Sequence, residues 1–488
     1  MRYLSKSVYQ LLVALALAFI TQALATYTYI AGYEPQSDVV QHSRIDLDVQ
    51  DIIDGLPAKN GKLVNDCADD YCNYDGTTMS GEAGDFYDRW TNGKHSTKSS
   101  GIRKIRDFAK NAATKSSGND AATDVDYKDN GFISVMNAYW KKKGLDEFTW
   151  GEQIVDAAFK GTAIGDIDFS KVGWDFRKET IGKGIVYLNV FPYVIWEMQD
   201  AINDCKVGKL SENADSVHAW DEAVAFYTGS LEGTTQGGSA TGGLSGGVGE
   251  GELQFTVAEK RCINFGTCTA GGSEKNIGYS QANFDILKLF TRGRDEILLA
   301  VSKGESACYA ITETMNEISG LMLVPFIQGV QRYLYKTSVA LKAKEAGELF
   351  AFASAALPFI DAVDPTAAEM LYNRAWKQDF TTESDFKTIK YAVEGTYSHL
   401  GVGAGQGKVT CSAVGELYDS GNVLSAACVD AEPTSQTKKD KELALGFGLG
   451  FGLGLVLLLI FSLFVAYKRT ETLRKFKGLL EESGAENV

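Results

Sequence analysis

The sequence predicts a mainly α-helical protein, in which two related helical-bundle lobes form a disulfide-bonded ectodomain that one transmembrane helix anchors. Three observations carry this prediction. Prolines are scarce, with 7 in 488 residues; short patterns recur in the same order in two parts of the chain; and apolar residues recur at helical spacing. One helical face, for example, takes Ile45, Val49, Ile52, Ile53 and Leu56.

Both ends of the chain carry targeting patterns. Residues 1–25 have the pattern of a secretory signal peptide, because a basic start is followed by an apolar stretch and by the small-residue site Ala23-Leu24-Ala25. Residues 443–466 are uncharged and long enough to cross a hydrocarbon core of about 30 Å. Basic residues follow at once, which indicates that the tail at 467–488 is cytoplasmic. We expect a single-pass type I protein of the plasma membrane, with the ectodomain outside.

Two repeats are predicted within the ectodomain, because short patterns match in the same order. Phe191-Pro192-Tyr193-Val194 matches Val324-Pro325-Phe326-Ile327, and the segment around Glu222 matches the segment around Glu348. Further matches follow in both copies, and the first copy carries insertions. The two copies are therefore expected to form two related helical bundles.

These repeats set the expected domain boundaries. The first lobe takes residues 26–300 and includes a glycine-rich insert at 233–251, which cannot bury enough side chain to fold alone. The second lobe takes residues 301–428. The polar segment at 429–442 is expected to form a stalk before the membrane.

Charge and cysteine content narrow the function classes. The formal net charge of -15 argues against a nucleic-acid partner, whose phosphates demand a basic face, and fits a cation or a cationic partner. All eight cysteines lie in the predicted ectodomain, where disulfides are the default. The sequence alone leaves other connectivities open. Close spacing favours Cys67 with Cys72, Cys262 with Cys268 and Cys411 with Cys428, which would leave Cys205 with Cys308.

The helix around Glu222 differs between the two copies in a way that indicates a metal site. Spacings of three and four residues put His218, Asp221 and Glu222 on adjoining parts of one helical face, and Tyr227 follows. In the second copy Lys344 replaces the histidine and an alanine replaces the tyrosine. Imidazole, carboxylate and phenolate ligands suit a hard or borderline cation, and Fe(III) is the candidate. The alternative is a solvated acidic helix face with Tyr227 in the core.

A second group of candidate ligands lies near the expected mature N-terminus. If this segment is helical, Asp38, His42 and Asp46 recur every four residues and share a face. His42 and Asp46 would then complete the metal site across a bundle. The alternative is ordinary capping at a helix start, because Ser37 and Asp38 are common N-cap residues.

Around these residues the sequence resembles the algal Fea-type iron-assimilation proteins, the phytotransferrin family. The resemblance rests on residues 33–48, 219–232, 260–268 and 325–333, and so covers most of the ectodomain. It implies a cell-surface protein that captures ferric iron with high affinity, with carbonate as a synergistic anion. It also implies endocytosis into endosomal vesicles, with a ferric reductase or the endocytic machinery as partners.

A bound carbonate needs a cation or a helix N-terminus. Lys260 and Arg261 are the basic pair nearest in sequence to the candidate ligand helix, and we expect them to bind the anion. The alternative is that they are surface charge beside a disulfide.

An enzyme is not expected. Four histidines permit few acid–base assignments, and the sequence has no Gly-x-Ser-x-Gly, His-Glu-x-x-His or Walker motif. His218-x-x-Asp221 has the outline of the His-x-x-Glu of imelysin-type proteins, two-lobed helical proteins once classed as peptidases, but the glutamate is replaced. A metallopeptidase of this type and a metal-independent adhesion protein are the two alternatives to the iron receptor.

Overall fold

Helices dominate the described part of the chain, as the sequence predicts. The computed structural model describes residues 33–56, 73–74, 79–80, 82–98, 101–116, 131–210, 215–229, 252–268, 280–303, 308–380, 386–419 and 422–429. The expected signal peptide, glycine-rich insert, transmembrane helix and cytoplasmic tail lie outside these residues. So do the expected pair Cys67 and Cys72 and all of the stalk except Val429.

The N-terminal region consists of short helices with small antiparallel ribbons between them. The predicted apolar face is confirmed, because Ile45, Val49, Ile52 and Leu56 are fully buried. The ribbons pair β1 (Asn73–Tyr74) with β2 (Met79–Ser80), β3 (Thr97–Lys98) with β4 (Gly101–Ile102), and β5 (Ala163–Ile164) with β6 (Ile167–Asp168). The helices are α1 (Val40–Ser43), α2 (Ile45–Gly55), α3 (Glu82–Asn92), α4 (Asp107–Ser116), α5 (Gly131–Lys142) and α6 (Trp150–Lys160).

Two helical series follow, and they have the same order of elements. The first series is α7 (Trp174–Ile185), a π-helical turn (Val186–Val190), α8 (Phe191–Lys206), α9 (Ser216–Thr228), α10 (Gln254–Phe265) and α11 (Gln281–Lys303). The second series is α12 (Cys308–Val339), α13 (Ala343–Val363), α14 (Pro365–Ala375) and α15 (Phe386–Glu394). Two 3-10 turns (Tyr397–His399 and Gly403–Gly405), α16 (Cys411–Val414) and a ribbon of β7 (Leu417–Asp419) with β8 (Asn422–Ser425) complete the described chain.

The predicted repeat stays a prediction, and the helices of the two series can be compared with it. The run from α7 to α8 is one long helical path with Pro192 in its middle, and α12 is a helix of 32 residues that contains Pro325. The next helix in each series carries Glu222 or Glu348, respectively. Proline lacks an N–H and disturbs the helical ladder, and in the first series the π-helical turn lies directly before it.

The two series share one core, so the predicted separation into two lobes is not confirmed. Residues up to Cys428 form one compact unit, and their buried apolar side chains form one continuous cluster. Helix α13 packs on α12 and α14 of its own series and also on α7 of the other series. Because apolar burial is the main stabilising term in folding, this shared core ties the two series together.

Helix α13 also bears on the membrane prediction. Among the described residues it is the one helix that is long and apolar enough to cross a bilayer, yet most of it is buried inside the protein. A central core helix meets the same length and hydropathy criteria, and burial identifies α13 as one. The predicted membrane helix at 443–466 remains a sequence prediction.

Three of the four expected disulfides lie in the described chain. Cys262 pairs with Cys268, Cys411 with Cys428, and Cys205 with Cys308. The last bond joins the end of α8 to the start of α12 across a sequence separation of 103 residues. It therefore links equivalent long helices of the two series.

Candidate metal centre

Three side chains from two separate helices bring their ligand atoms together. His42 lies in α1, and His218 and Glu222 lie one turn apart on α9. The Nε2 atom of His42 is 2.7 Å from Glu222 Oε1, and the Nε2 atom of His218 is 3.0 Å from the same oxygen. The ligand atoms all lie within 4.8 Å of one another, a spacing that can hold a metal ion. We call these three residues the His–Glu cluster.

Solvent access to the His–Glu cluster is limited. The side chains of His42 and Glu222 are about 10% exposed, whereas that of His218 is 24% exposed. The ring of Phe226 lies edge-on to His42, with 5.7 Å between the ring centroids. The cluster is thus an inner site with an apolar wall that is open on the side of His218.

Arg103 supplies a fixed positive charge beside the cluster. Its NH2 atom is 3.5 Å from Glu222 Oε1, and its guanidinium lies over the Phe226 ring. Its Nε atom is buried and has no hydrogen-bond partner among the described residues. A buried donor without a partner carries a free-energy cost, so this arginine has an unused hydrogen-bonding capacity beside the carboxylate.

The surroundings set the protonation of the three ligands. Burial opposes ionisation of Glu222, but hydrogen bonds from His218 and His42 and the charge of Arg103 hold its pKa well below the usual range. Burial lowers the pKa of His42. Burial also opposes protonation of His218, but the hydrogen bond and charge of Glu222 outweigh it and raise the pKa of His218. These shifts favour the deprotonated forms of Glu222 and His42, which a metal ligand needs, whereas at His218 a proton would compete with a metal.

Asp221 holds the N-terminal segment against α9. Its carboxylate accepts hydrogen bonds from the Tyr33 hydroxyl at 2.5 Å, from the backbone N–H groups of Gln36 and Ser37 at 2.8 Å each, and from the Ser37 hydroxyl at 2.8 Å. Burial raises the pKa of Asp221 to about 6, against the opposing effect of these hydrogen bonds. The same Ser37 hydroxyl lies 3.0 Å from His218 Nδ1. Asp221 thus positions both the segment that carries His42 and, through Ser37, the His218 ring.

The helical periodicity expected at the N-terminus is interrupted. Helix α1 ends at Ser43 and α2 begins at Ile45, and Asp38 is exposed and lies before α1. Asp46 is buried against Gly229, where a Cβ atom would come within 2.5 Å of its Oδ2 atom. Gly229 follows Glu222 by seven residues, about 10 Å along a helix axis. The structure therefore brings His42 to the cluster and leaves Asp46 near the far end of α9.

Tyr227 lies in the core. Its hydroxyl donates a hydrogen bond of 2.5 Å to Asn283 Oδ1, and its ring packs on Phe255 and Phe290. Burial raises the pKa of Tyr227 well above its ordinary value, with a further contribution from Glu259. The phenol therefore faces α10 and α11, and the structure does not bring it to the His–Glu cluster.

Lys260 and Arg261 are also away from the cluster. Both line a pocket formed with Lys183, Tyr333 and Glu348. That pocket surrounds the second copy's glutamate, the residue that matches Glu222. The basic group beside the His–Glu cluster is Arg103 instead.

Comparison with known proteins identifies the family of the chain. The profile of the Fea1 family, described as a low iron-inducible periplasmic protein, matches residues 63–349, more than half of the 488 residues. The chain belongs to the Fea1 family. The match includes His218, Glu222 and Glu348, whereas His42 lies before its start. No curated protein sequence and no solved structure matches the chain significantly.

The His–Glu cluster of this Fea1-family protein offers two imidazoles and one carboxylate as candidate donors. Such a triad occupies one face of a metal ion and leaves further positions open, as in non-haem iron sites. Ser37 supports one ligand from behind, because a hydrogen bond to the second ring nitrogen fixes the orientation of a ligating histidine. The arrangement can therefore bind a cation together with an exogenous ligand.

Sequence reasoning missed Arg103 at this site of the Fea1-family chain and Tyr193 next to it, whose ring packs on Phe226. Arg103 follows the β3–β4 ribbon and is far from α9 in sequence, so spacing gives no signal for it. Tyr193 is buried and feels the charge of Glu222, which contributes to raising its pKa after burial and Glu197. A signal for Tyr193 did exist, because the matched position in the second copy is Phe326, which lacks the hydroxyl.

Proposed function

We propose that this Fea1-family protein binds ferric iron at the His–Glu cluster and is a receptor for iron uptake rather than an enzyme. The observation that carries the proposal is the approach of three ligand atoms to within 4.8 Å of one another. The family description as low iron-inducible supports iron as the metal. A protein made when iron is scarce is expected to bind the element that is lacking.

Carbonate fits the same site as a second ligand. Three protein ligands leave positions open on the metal, and Fe(III) prefers charged oxygen donors. Arg103 lies beside Glu222 with a buried Nε atom that has no partner in the described chain. A guanidinium binds a planar oxyanion in a bidentate manner. We therefore place the carbonate between the metal and Arg103, in place of the earlier expectation of Lys260 and Arg261.

The charges of the site support an anion there. A ferric ion adds three positive charges to a cluster in which Glu222 is the one carboxylate ligand. Arg103 adds a further positive charge. Buried charge without a counter-charge is unfavourable. A divalent oxyanion lowers this excess and satisfies the arginine at the same time.

Acid is expected to release the iron. Metal ligands must be deprotonated, so binding competes with protons. The pKa of His218 is raised by Glu222, and this ring is the first ligand to protonate as the pH falls. Loss of one imidazole weakens the site, and this fits a route in which the loaded receptor is internalised into acidic endosomal vesicles.

Titration of the purified full-length protein with ferric nitrilotriacetate tests the proposal. We expect stoichiometric binding in the presence of bicarbonate and a loss of about 100-fold in affinity when bicarbonate is removed or when His218 is changed to alanine. His399→Ala is the matched control, because His399 is exposed and lies in a 3-10 turn of the second series.

Three results would contradict the proposal. Unchanged iron affinity in His218→Ala would show that the metal does not bind at the His–Glu cluster. Unchanged iron affinity without bicarbonate would show that iron binding does not require the anion. Absence of iron binding, with peptide hydrolysis that requires His218, would indicate the imelysin-type peptidase instead.

A further inference from the structure

A second polar pocket surrounds the glutamate of the second series. Helices α7, α10, α12 and α13 supply Lys183, Arg261, Tyr333 and Glu348 to its lining. Its cavity volume is about 240 Å³, which admits a small organic molecule but not a peptide. We call it the Arg261 pocket.

Arg261 has no carboxylate within ion-pair distance among the residues that the structure describes. Its guanidinium lies 5.7 Å from the ring centroids of both Tyr333 and Phe352, and its NH1 atom is 3.4 Å from the Tyr333 hydroxyl. Its Nε atom is buried and lacks a hydrogen-bond partner within the described chain. Burial opposes the charge of Arg261, but Tyr333 and the charge of Glu348 raise its pKa. Arg261 and Glu348 form no direct ion pair, so the guanidinium keeps donors free for the carboxylate of a ligand.

Glu348 supplies a negatively charged hydrogen-bond acceptor to the same pocket. Its Oε1 atom pairs with Lys183 Nζ at 3.2 Å, and Lys183 also donates to Glu179. Its Oε2 atom is buried and accepts no hydrogen bond from any described residue. Burial opposes ionisation of Glu348, but the charges of Lys183 and Arg261 lower its pKa. The Tyr333 hydroxyl also contributes to lowering the pKa of Glu348, yet no described donor reaches Oε2 itself in hydrogen-bond geometry.

The remaining lining completes the chemical requirements for a ligand. Val186, Val257 and Phe352 provide apolar wall. Lys178 also lines the pocket and forms no ion pair in the described part of the chain. The lining carries four basic side chains against three acidic ones. An occupant therefore needs negative charge, a hydrogen-bond donor close to it, and a short carbon skeleton.

We propose that the Arg261 pocket binds a small carboxylate that carries a neighbouring hydroxyl or ammonium group. Its carboxylate pairs with the Arg261 guanidinium, and its hydroxyl or ammonium donates to Glu348 Oε2. A second carboxylate, where the ligand has one, pairs with Lys178. This site is separate from the His–Glu cluster, and the proposal does not depend on iron binding.

Isothermal titration calorimetry of the full-length protein with malate, aspartate and succinate tests this assignment. The three dicarboxylates have the same length and differ at one carbon, which bears a hydroxyl, an ammonium or hydrogen. We expect malate or aspartate to bind at least tenfold more tightly than succinate, because the donor satisfies Glu348. Malate and aspartate also distinguish the hydroxy acid from the amino acid as the natural class.

Two variants and one control locate the binding. Arg261→Lys keeps the charge but loses bidentate geometry and is expected to weaken the preferred ligand about tenfold. Glu348→Gln is expected to reduce the difference in affinity between the preferred ligand and succinate. Arg374→Lys is the matched control, because Arg374 is also buried against an aromatic ring, that of Phe380, but does not line this pocket.

The wild-type measurement alone can overturn the proposal, whether or not the variants fold. Absence of heat from all three acids at about 10 mM, a concentration that detects a dissociation constant near about 1 mM, would contradict it. Equal affinity for malate, aspartate and succinate would contradict the role of Glu348. Equal weakening by Arg261→Lys and Arg374→Lys would show that the binding lies elsewhere.

Discussion

Glu222 and Glu348 occupy matched positions in the two helical series and differ in the kind of basic side chain that surrounds them. Glu222 faces the imidazoles of His42 and His218, with Arg103 beside it. Glu348 faces Lys183, and it feels the charge of Arg261. Glu348 is buried and the Glu222 side chain is 12% exposed, and both carboxylates have depressed pKa values.

The difference lies in whether the cationic partner can give up its proton. An imidazole becomes neutral near physiological pH and then offers a lone pair to a metal. Lysine and arginine keep their protons, because opposite charges favour the charged form, and the pKa values of Lys183 and Arg261 are raised. In the two proposals, the first site therefore exchanges protons for a metal cation, whereas the second retains its cations and binds an anion.

The largest effect expected from this comparison is on iron affinity when each glutamate is made neutral. Glu222→Gln removes the one carboxylate ligand of the cluster and is expected to lower ferric affinity by about 100-fold or more. Glu348→Gln makes the same chemical change at the matched position and is expected to leave iron affinity within about twofold. Titration with ferric nitrilotriacetate measures the iron affinity of both variants. Equal losses of affinity would contradict the claim that the two glutamates have different roles.

His218→Lys transfers the second copy's residue into the first. The new ammonium pairs with Glu222 and cannot ligate a metal while protonated, so we expect a loss of iron affinity of about 100-fold, as large as that of His218→Ala. Circular dichroism should show the same helix content as the unchanged protein. Retained iron binding in this variant would mean that His218 is not a ligand.

The two sites should respond differently to pH. His218 has a raised pKa, so it is protonated below that value, and ferric affinity should fall by up to about tenfold per pH unit as the pH drops through it. Protonation of His42, whose pKa is lowered, should steepen the fall at lower pH. The Arg261 pocket contains no histidine in its described lining, and its affinity for malate should stay nearly constant as the pH falls through the pKa of His218. A change is expected at lower pH, where the carboxylates of malate and of Glu179, whose pKa burial raises, become protonated. A flat pH profile for iron would contradict a histidine-ligated metal.

Asp221→Asn is expected to have a smaller effect, because Asp221 acts through other residues. The amide cannot accept from all four donors that meet the carboxylate, and an unsatisfied buried donor costs about 1–3 kcal/mol. We expect faster hydrogen exchange in residues 33–42 and iron affinity lowered by about tenfold. Lower iron affinity with unchanged exchange would argue against the positioning role.

The smallest effect expected is at the two tyrosines. Tyr227→Phe should change iron affinity by less than about twofold, because its hydroxyl bonds Asn283, although loss of that bond costs about 1 kcal/mol of unfolding free energy. Tyr193→Phe tests the second phenol, whose pKa is raised in part by the charge of Glu222. A visible charge-transfer band of the ferric protein that disappears in Tyr227→Phe would contradict the geometry described above.

Local periodicity predicted the elements that depend on neighbours in sequence. Apolar spacing indicated the buried face of α2, and the His218–Glu222 spacing of four residues put both side chains on one face of α9. These inferences hold because helical geometry fixes which residues share a face. The correspondence of Glu348 with Glu222, which ordered matches indicated, stays a prediction.

Contacts between distant segments could not be predicted in the same way. Spacing could not distinguish Asp221, which accepts hydrogen bonds from the N-terminal segment, from Glu222, which meets the histidines. It also could not separate His42 from Asp46, because a break near Arg44 interrupts the helix. Arg103 comes from a loop after a short ribbon, and Arg261 is near α9 in sequence but lines another pocket. These positions depend on tertiary packing, which overrides local pattern.

X-ray absorption at the iron edge of the loaded full-length protein tests the central claim most directly. The account predicts an iron coordinated by oxygen and nitrogen, with imidazole multiple scattering from His42 and His218 that is roughly halved in His218→Ala and unchanged in Glu348→Gln. An all-oxygen iron site without imidazole scattering, or scattering that persists in full in His218→Ala, would contradict iron binding at the His–Glu cluster.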